Sequence, residues 1–251
     1  MVLQGRVAIV TGGARGIGQE YCAALAREGA KVVAADVLSS AETVGKIRQA
    51  GGEAEGIVAD VSVERDTQAM ADLAMRRFGR VDILVNNAAL LARMKPFDQI
   101  TETEWDRLMA VNVKGLWQCC KAVVPIMRRQ SKGKIINVSS STIWVGSPMI
   151  LHYVASKGAV LAFTRALARE LSGSGINVNA ITPGYTMTPA ALDIGDKESI
   201  EALKQHILEI RIVKRFEQPS DLAGTVLFLA SDASDFISGQ VINCDGGEAH
   251  H

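Results

Sequence analysis

Short apolar runs of strand length, each followed by a stretch long enough for an amphipathic helix, recur along this 251-residue chain. The runs at 7–10, 32–35, 83–85, 135–138, 176–181 and 241–242 are rich in β-branched residues and nearly continuous in their apolarity. Continuous rather than alternating apolarity suits strands buried on both faces, as in a parallel sheet covered by helices. Helical periodicity is expected around 16–29, 64–78, 103–129, 153–172 and 219–231. This alternation argues for a doubly wound α/β fold, with a TIM barrel of similar rhythm and length still open. A single domain over 1–251 is expected, because α/β folds of about 250 residues commonly form around one sheet. The rhythm breaks at 185–215, where Pro189, Gly195 and the run DKESIEALK intervene, and a substrate lid is expected there.

Charge removes several classes of partner. The 27 Lys and Arg balance the 27 Asp and Glu, so no electrostatic footprint for nucleic acid or an anionic membrane is present. No apolar run approaches the ~18 residues of a membrane span, and MVLQGRVAIVTGG lacks the pattern of a signal peptide. Cys22, Cys119, Cys120 and Cys244 form neither a CxxC pair nor a Cys/His cluster. A cytoplasmic protein without disulfides, metal, nucleic-acid partner or membrane segment is expected.

The first strand runs directly into Thr11-Gly12-Gly13-Ala14-Arg15-Gly16-Ile17-Gly18, followed by an amphipathic stretch. Glycines there permit a tight turn and a close backbone approach, aiming helix N–H groups at a pyrophosphate. The spacing is TGxxxGxG rather than GxGxxG. Asp36 lies 18 residues after Gly18 at the end of the second strand, placed to accept from the ribose hydroxyls of NAD. A 2′-phosphate beside Asp36 would meet repulsion of roughly 4 kcal/mol per unit-charge pair at about 4 Å. Arg15 pulls the other way, towards NADP. The closer clash is expected to prevail, so NAD is preferred over NADP, with a bias towards alcohol oxidation.

Ser140, Tyr153 and Lys157 form the chemical constellation. Tyr153 and Lys157 are four residues apart on an expected helix and so share a face. Moving a hydride to or from a carbinol carbon requires a partner for the hydroxyl proton. An unperturbed tyrosine is only about 0.1 % phenolate at pH 7. Bringing it near neutrality takes roughly 4 kcal/mol of preferential phenolate stabilisation, which a close ammonium and a cationic nicotinamide can supply.

With TGGARGIG at 11–18, Asp60-Val61, Asn86-Asn87-Ala88-Ala89, Asn112, NVSSS at 137–141, Tyr153-Val-Ala-Ser-Lys157, Pro183-Gly184 and Asp245-Gly246-Gly247, the chain resembles the short-chain dehydrogenase/reductase family over about residues 5–247. The resemblance disposes of the TIM barrel. It implies a Rossmann fold with one seven-stranded parallel sheet and helices on both faces, assembled as a homotetramer. It further implies Tyr153 as acid/base, Lys157 as its pKa-lowering neighbour and a ribose ligand, Ser140 on the reacting oxygen, and Asn112 holding a water. The cofactor residues it implies are Gly12, Arg15, Gly16, Ile17, Gly18, Asp36, Val37, Asp60, Val61, Asn87, Ala88 and Ala89, with Tyr153, Lys157, Pro183, Gly184, Thr186 and Thr188 at the nicotinamide end. Asn86 is expected to brace the sheet and Asp245 to order a terminal turn. Ala89 departs from the family's NNAG, at a cost of about 1 kcal/mol if the backbone there needs a glycine conformation.

The expected substrate walls include Leu91, Thr142, Trp144, Ile150, Tyr185 and Leu192. They suit a small or medium secondary alcohol or ketone, largely apolar or ring-bearing. Two alternatives stay open: a 3-ketoacyl-carrier-protein reductase using NADPH, and a non-catalytic dinucleotide sensor.

Overall fold

The computed structural model describes residues 1–250. Seven parallel strands form one sheet: β1 (Val7–Thr11), β2 (Lys31–Asp36), β3 (Ala54–Val58), β4 (Ile83–Asn86), β5 (Gly133–Val138), β6 (Ile176–Pro183) and β7 (Val241–Cys244). Their order is β3-β2-β1-β4-β5-β6-β7, so the chain reverses direction across the sheet between β1 and β4. The helices are α1 (Gly16–Arg27), α2 (Ala41–Gln49), α3 (Glu64–Phe78), α4 (Glu102–Met109), α5 (Leu116–Gln130), the single turn α6 (Thr142–Val145), α7 (Leu151–Glu170), α8 (Lys197–Ile210) and α9 (Pro219–Ala230).

The continuous apolarity of the strands now has a physical reason. Successive residues point to opposite faces, and each face has its own core. In β1, Val7 and Ile9 pack with Met70 of α3, Val123 of α5 and Val160 of α7. Ala8 and Val10 pack on the other face with Tyr21 and Leu25 of α1 and Val226 of α9. Neither face meets water, so neither needs polar residues.

The apolar pattern missed β3, an edge strand in which Glu55, Gly56 and alternating exposure replace the continuous run. It also missed α2. The helix expected at 103–129 extends from α4 through a π-helical turn (Ala110–Gly115) into α5. The region 185–215 is less irregular than expected. It contains a 3-10 turn (Ala190–Asp193) and α8, which starts from the Asp196 cap on Ser199 N–H (2.8 Å) and buries Ile200 and Ile207.

Polar side chains lock α7 over the sheet. Asn86 Nδ2 donates to Asn137 Oδ1 (2.9 Å), Asn137 Nδ2 donates to Thr164 Oγ1 (2.9 Å), and all three residues are buried. Asn86 is therefore a sheet brace, as read from sequence. Asp245 accepts from the N–H groups of Gly247, Glu248 and Ala249, ordering the turn after β7. Among the described residues no helix is long and apolar enough to cross a membrane.

Candidate active site

The loops after β1 and β4 diverge where the strand order reverses, opening a crevice at the carboxyl ends of the strands. A cleft of about 770 Å³ occupies it, running from Asp36 and Val37 past the glycine turn to Tyr153 and under the 185–210 segment. Local chemistry makes the first wall. Gly12 has φ +68°, a left-handed conformation that side chains disfavour, and a Cβ on Gly18 would lie 2.0 Å from the Gly12 carbonyl oxygen. Asn87 Nδ2 donates to the Thr11 and Gly12 carbonyls (2.9 and 3.2 Å), fastening the loop after β4 to this turn.

These residues fit a dinucleotide. Helix α1 begins here with no side-chain cap and no acidic residue in its first turn, so its N–H groups and positive dipole end are left for an anion. A Cβ on Gly16 would come within 3.4 Å of the Thr188 methyl across the cleft. Every cofactor residue inferred from sequence lines this one cleft, from Gly12 and Arg15 to Thr188. Asp36 does so with its carboxylate held in place: Oδ2 accepts from Ala14 N–H (3.0 Å) and Oδ1 from Leu38 N–H (2.9 Å). Ala89 does not have positive φ, so the departure from glycine carries no backbone strain.

At the other end, Tyr153 and Lys157 project from the first turns of α7 beside the end of β5. Lys157 Nζ donates to the Val138 carbonyl (2.9 Å), and Ser139 Oγ donates to the Lys157 carbonyl (2.7 Å), so helix and strand are stitched at the site. Lys157 Nζ lies 5.6 Å from the centre of the Tyr153 ring. Ser140 hydrogen-bonds Tyr153 and also accepts from Thr142 Oγ1 (3.0 Å). Asn112 sits in the π-helical turn, outside the cleft lining. Its Oδ1 accepts from Leu90 N–H (2.8 Å), and its Nδ2 donates to Leu90 O (3.0 Å) and Ser156 Oγ (3.1 Å). It therefore joins the loop after β4 to α7.

The electrostatics differ from the simple expectation for tyrosine. Burial pushes Tyr153 up to about 12, which its Ser140 hydrogen bond only partly offsets. Burial pushes Lys157 down to about 8. In this chain alone burial sets both directions, with the Ser140 hydrogen bond the opposing influence on the tyrosine.

Two inferred substrate residues are corrected. Trp144 does not line the cleft; its indole N–H donates to Thr182 Oγ1 (3.3 Å), which turns the ring onto β6. Leu192 is outside the lining and 45 % exposed, because the 3-10 turn buries Ala191 in its place. Leu91, Thr142, Ile150 and Tyr185 do line it. A third adjustment concerns Thr186, whose hydroxyl donates to Glu217 (2.5 Å) in the interior.

A family model described as enoyl-(acyl carrier protein) reductase matches residues 12–248. The chain is 38 % identical to the 3-oxoacyl-[acyl-carrier-protein] reductase FabG of Thermotoga maritima, covering 98 % of this chain and 99 % of that protein. It is 39 % identical to the cyclopentanol dehydrogenase of a Comamonas species, covering 96 % of each. The chain belongs to the short-chain dehydrogenase/reductase family. Solved structures agree: a 3-ketoacyl-(acyl-carrier-protein) reductase from Brucella melitensis complexed with NADH superposes with a TM-score of 0.89 at 31 % identity, covering 99 % of this chain and 100 % of that one. A putative 2-deoxy-D-gluconate 3-dehydrogenase from Agrobacterium tumefaciens with bound NADP gives 0.88 at 35 %, covering 98 and 97 %. Short-chain dehydrogenase/reductases of this fold thus take either nicotinamide dinucleotide.

The motifs of the short-chain dehydrogenase/reductase family left part of this site unread. His206 and Ile207 of α8 and the C-terminal Glu248 line the substrate end. Arg211, 1 % exposed just after α8, pairs with Glu248 (2.9 Å). The i, i+3, i+7 apolar spacing of Ile200, Leu203 and Ile207 is the signal that reveals α8. The ion pair has no local signal, because its partners are 37 residues apart.

Proposed function

We propose that this protein is an NAD-dependent oxidoreductase that interconverts a secondary alcohol and its ketone. The observation that carries the reading is the meeting of Tyr153, Lys157 and Ser140 at one end of a single cleft whose other end is the glycine turn and Asp36. NAD, when bound, supplies the hydride acceptor. Tyr153 Oη exchanges the hydroxyl proton with the substrate, and Ser140 Oγ orients the reacting oxygen. The Lys157 ammonium favours the phenolate and holds the ribose, and Asn112 keeps α7 and the loop after β4 in register around them. Asp36 selects NAD by presenting a carboxylate where NADP would place its 2′-phosphate.

The substrate reading follows from the far wall. Leu91, Ile150, Tyr185, Ile194, Leu203 and Ile207 line it, favouring a largely apolar or ring-bearing alcohol of small to medium size. The 185–215 segment acts as the lid of a single-domain enzyme: Met94 N–H donates to Ile194 O (2.7 Å), tying it across the cleft, and Tyr185 Oη donates to Ala191 O (2.9 Å) within the segment. We place the enzyme in the cytoplasm as a homotetramer.

A second reading, an NADPH-dependent 3-ketoacyl-carrier-protein reductase, is favoured by the FabG relative and by Arg15 on the cleft wall. One experiment separates them. Purified protein is assayed for NADH formation from aliphatic, aryl, diol and hydroxyacid secondary alcohols, and for NADPH oxidation by a 3-ketoacyl thioester, with Tyr153→Phe alongside. Alcohol turnover with NAD that disappears in Tyr153→Phe, while NADH still binds, is the expected result. Thioester reduction with NADPH as the dominant activity would establish the second reading instead. Tight NADH binding with no turnover on any substrate would point to a dinucleotide sensor.

A further inference from the structure

Glu217 is a buried carboxylate that the proton-transfer site does not use. It lies between α8 and α9, is 5 % exposed, and stands outside the cleft lining. Both of its oxygens are engaged by one loop. Oε1 accepts from Thr186 Oγ1 (2.5 Å) and Oε2 from Gly184 N–H (3.3 Å). Its main-chain carbonyl accepts from Met187 N–H (2.8 Å). One residue thus grips three points, at Gly184, Thr186 and Met187, of the segment that continues β6 along the cleft, the same segment that the cofactor reading places at the nicotinamide end.

We propose that Glu217 is a positioning residue whose carboxylate holds the Gly184–Met187 backbone in the shape that receives the nicotinamide half of the cofactor. This rests on the cofactor reading above. The charged form makes the stronger grip. A carboxylate accepts from two donors at once, whereas a protonated acid must turn one oxygen into a donor. Thr186 has an alternative acceptor, the Gly184 carbonyl at 3.3 Å, so on protonation of Glu217 the hydroxyl turns to that carbonyl and a charge-assisted bond to the loop is replaced by a neutral one.

The groups facing Glu217 come from several elements. Arg211 after α8 favours its charge, whereas Asp221 of α9 disfavours it. Arg215, Cys244 of β7 and the buried Tyr21 of α1 also feel it. Burial outweighs Arg211 and raises the carboxyl to about 7. The grip therefore changes strength within the physiological range.

The test is equilibrium binding of NADH and of ADP-ribose, which lacks the nicotinamide, between about pH 6 and about pH 8.5. The parent, Glu217→Gln and Thr186→Val are compared. In the parent, NADH affinity is expected to weaken about three- to tenfold towards acid, the difference between a hydrogen bond to a charged group and a neutral one, with ADP-ribose unchanged. Glu217→Gln can offer only one acceptor, so it should bind NADH with the parent's weak acid-side affinity at every pH. Thr186→Val, which keeps the Gly184 contact, should show a reduced pH response and stands in if the glutamine variant does not fold. An unchanged NADH profile in the variants, or ADP-ribose weakening in parallel, would overturn the proposal and leave the cofactor reading intact. Failure of NADH to bind at any pH would overturn both.

Discussion

A buried ammonium with one carbonyl partner is an expensive group to keep in a folded protein, and Lys157 is such a group. Its fall from 10.5 to about 8 means that the folded state disfavours the charged form. The folded pKa lies below the unfolded one, so the cost is fully present below about pH 8 and disappears as pH rises towards 10.5. Lys157→Met is therefore expected to stabilise the fold by about 2 kcal/mol at neutral pH, after allowing for the lost bond to Val138, while removing turnover. Urea unfolding of both proteins at pH 7 checks it; a destabilised variant would show that the lysine contributes more to the fold than it costs. Asp36 belongs to the same scale. Its two backbone partners hold the carboxylate at the cleft wall, so Asp36→Ala should narrow the NAD/NADP preference measured as a ratio of kcat/KM. If the unmodified protein already prefers NADP, the role assigned to Asp36 is wrong. Asp36 was legible because its sequence distance from Gly18 is set by one strand–helix–strand unit. Trp144 was misread because a ring's direction depends on which β6 hydroxyl its N–H reaches.

At the scale of elements, glycines of the same type do opposite things. The Gly18 position on α1 packs against the Gly12 carbonyl with no room for a methyl group, whereas Gly45 in α2 has nothing within 4 Å of a built Cβ. Gly45→Ala should stabilise the protein by about 0.5–1 kcal/mol, the ordinary gain in helix propensity. Gly18→Ala must displace the turn, and is expected to abolish NADH binding and to lower the melting temperature. Calorimetry of the two variants, with and without NADH, reads both effects. Helix periodicity found the 103–129 helix but could not show its π-helical turn, since a one-residue expansion leaves the apolar pattern almost unchanged. That turn carries Asn112 to the back of the site. Strand β3 was unreadable for a different reason: an edge strand with one open face has no continuous apolar run.

For the whole molecule, the consequence of burying Glu217 is a pH dependence opposite to that of most carboxylates. Its pKa rises from 4.5 to about 7 on folding, so the folded state keeps a proton that the unfolded chain has lost. Stability from this group is present below about pH 4.5 and is lost as pH rises through about 7. Subtracting the unfolding free energies of Glu217→Gln from those of the parent across that window should give a difference that falls with pH. A flat or rising difference would mean that Arg211 keeps Glu217 ionised throughout.

The amino-acid sequence by itself determined the layered α/β plan, because continuous apolar strands alternating with helices call for a covered parallel sheet and the family motifs exclude the barrel. It also determined the glycine turn, Asp36 and the Tyr153/Lys157 pair, whose spacings are set within one helix or one strand–helix–strand unit. Tertiary structure alone decided which side chains face the cleft at its substrate end. It also decided the Arg211–Glu248 pair, the grip of Glu217 on Thr186 and Gly184, and the direction in which burial moves Tyr153 and Lys157. Those outcomes depend on groups brought together from distant parts of the chain and on the exclusion of water between them, and neither is written in local spacing.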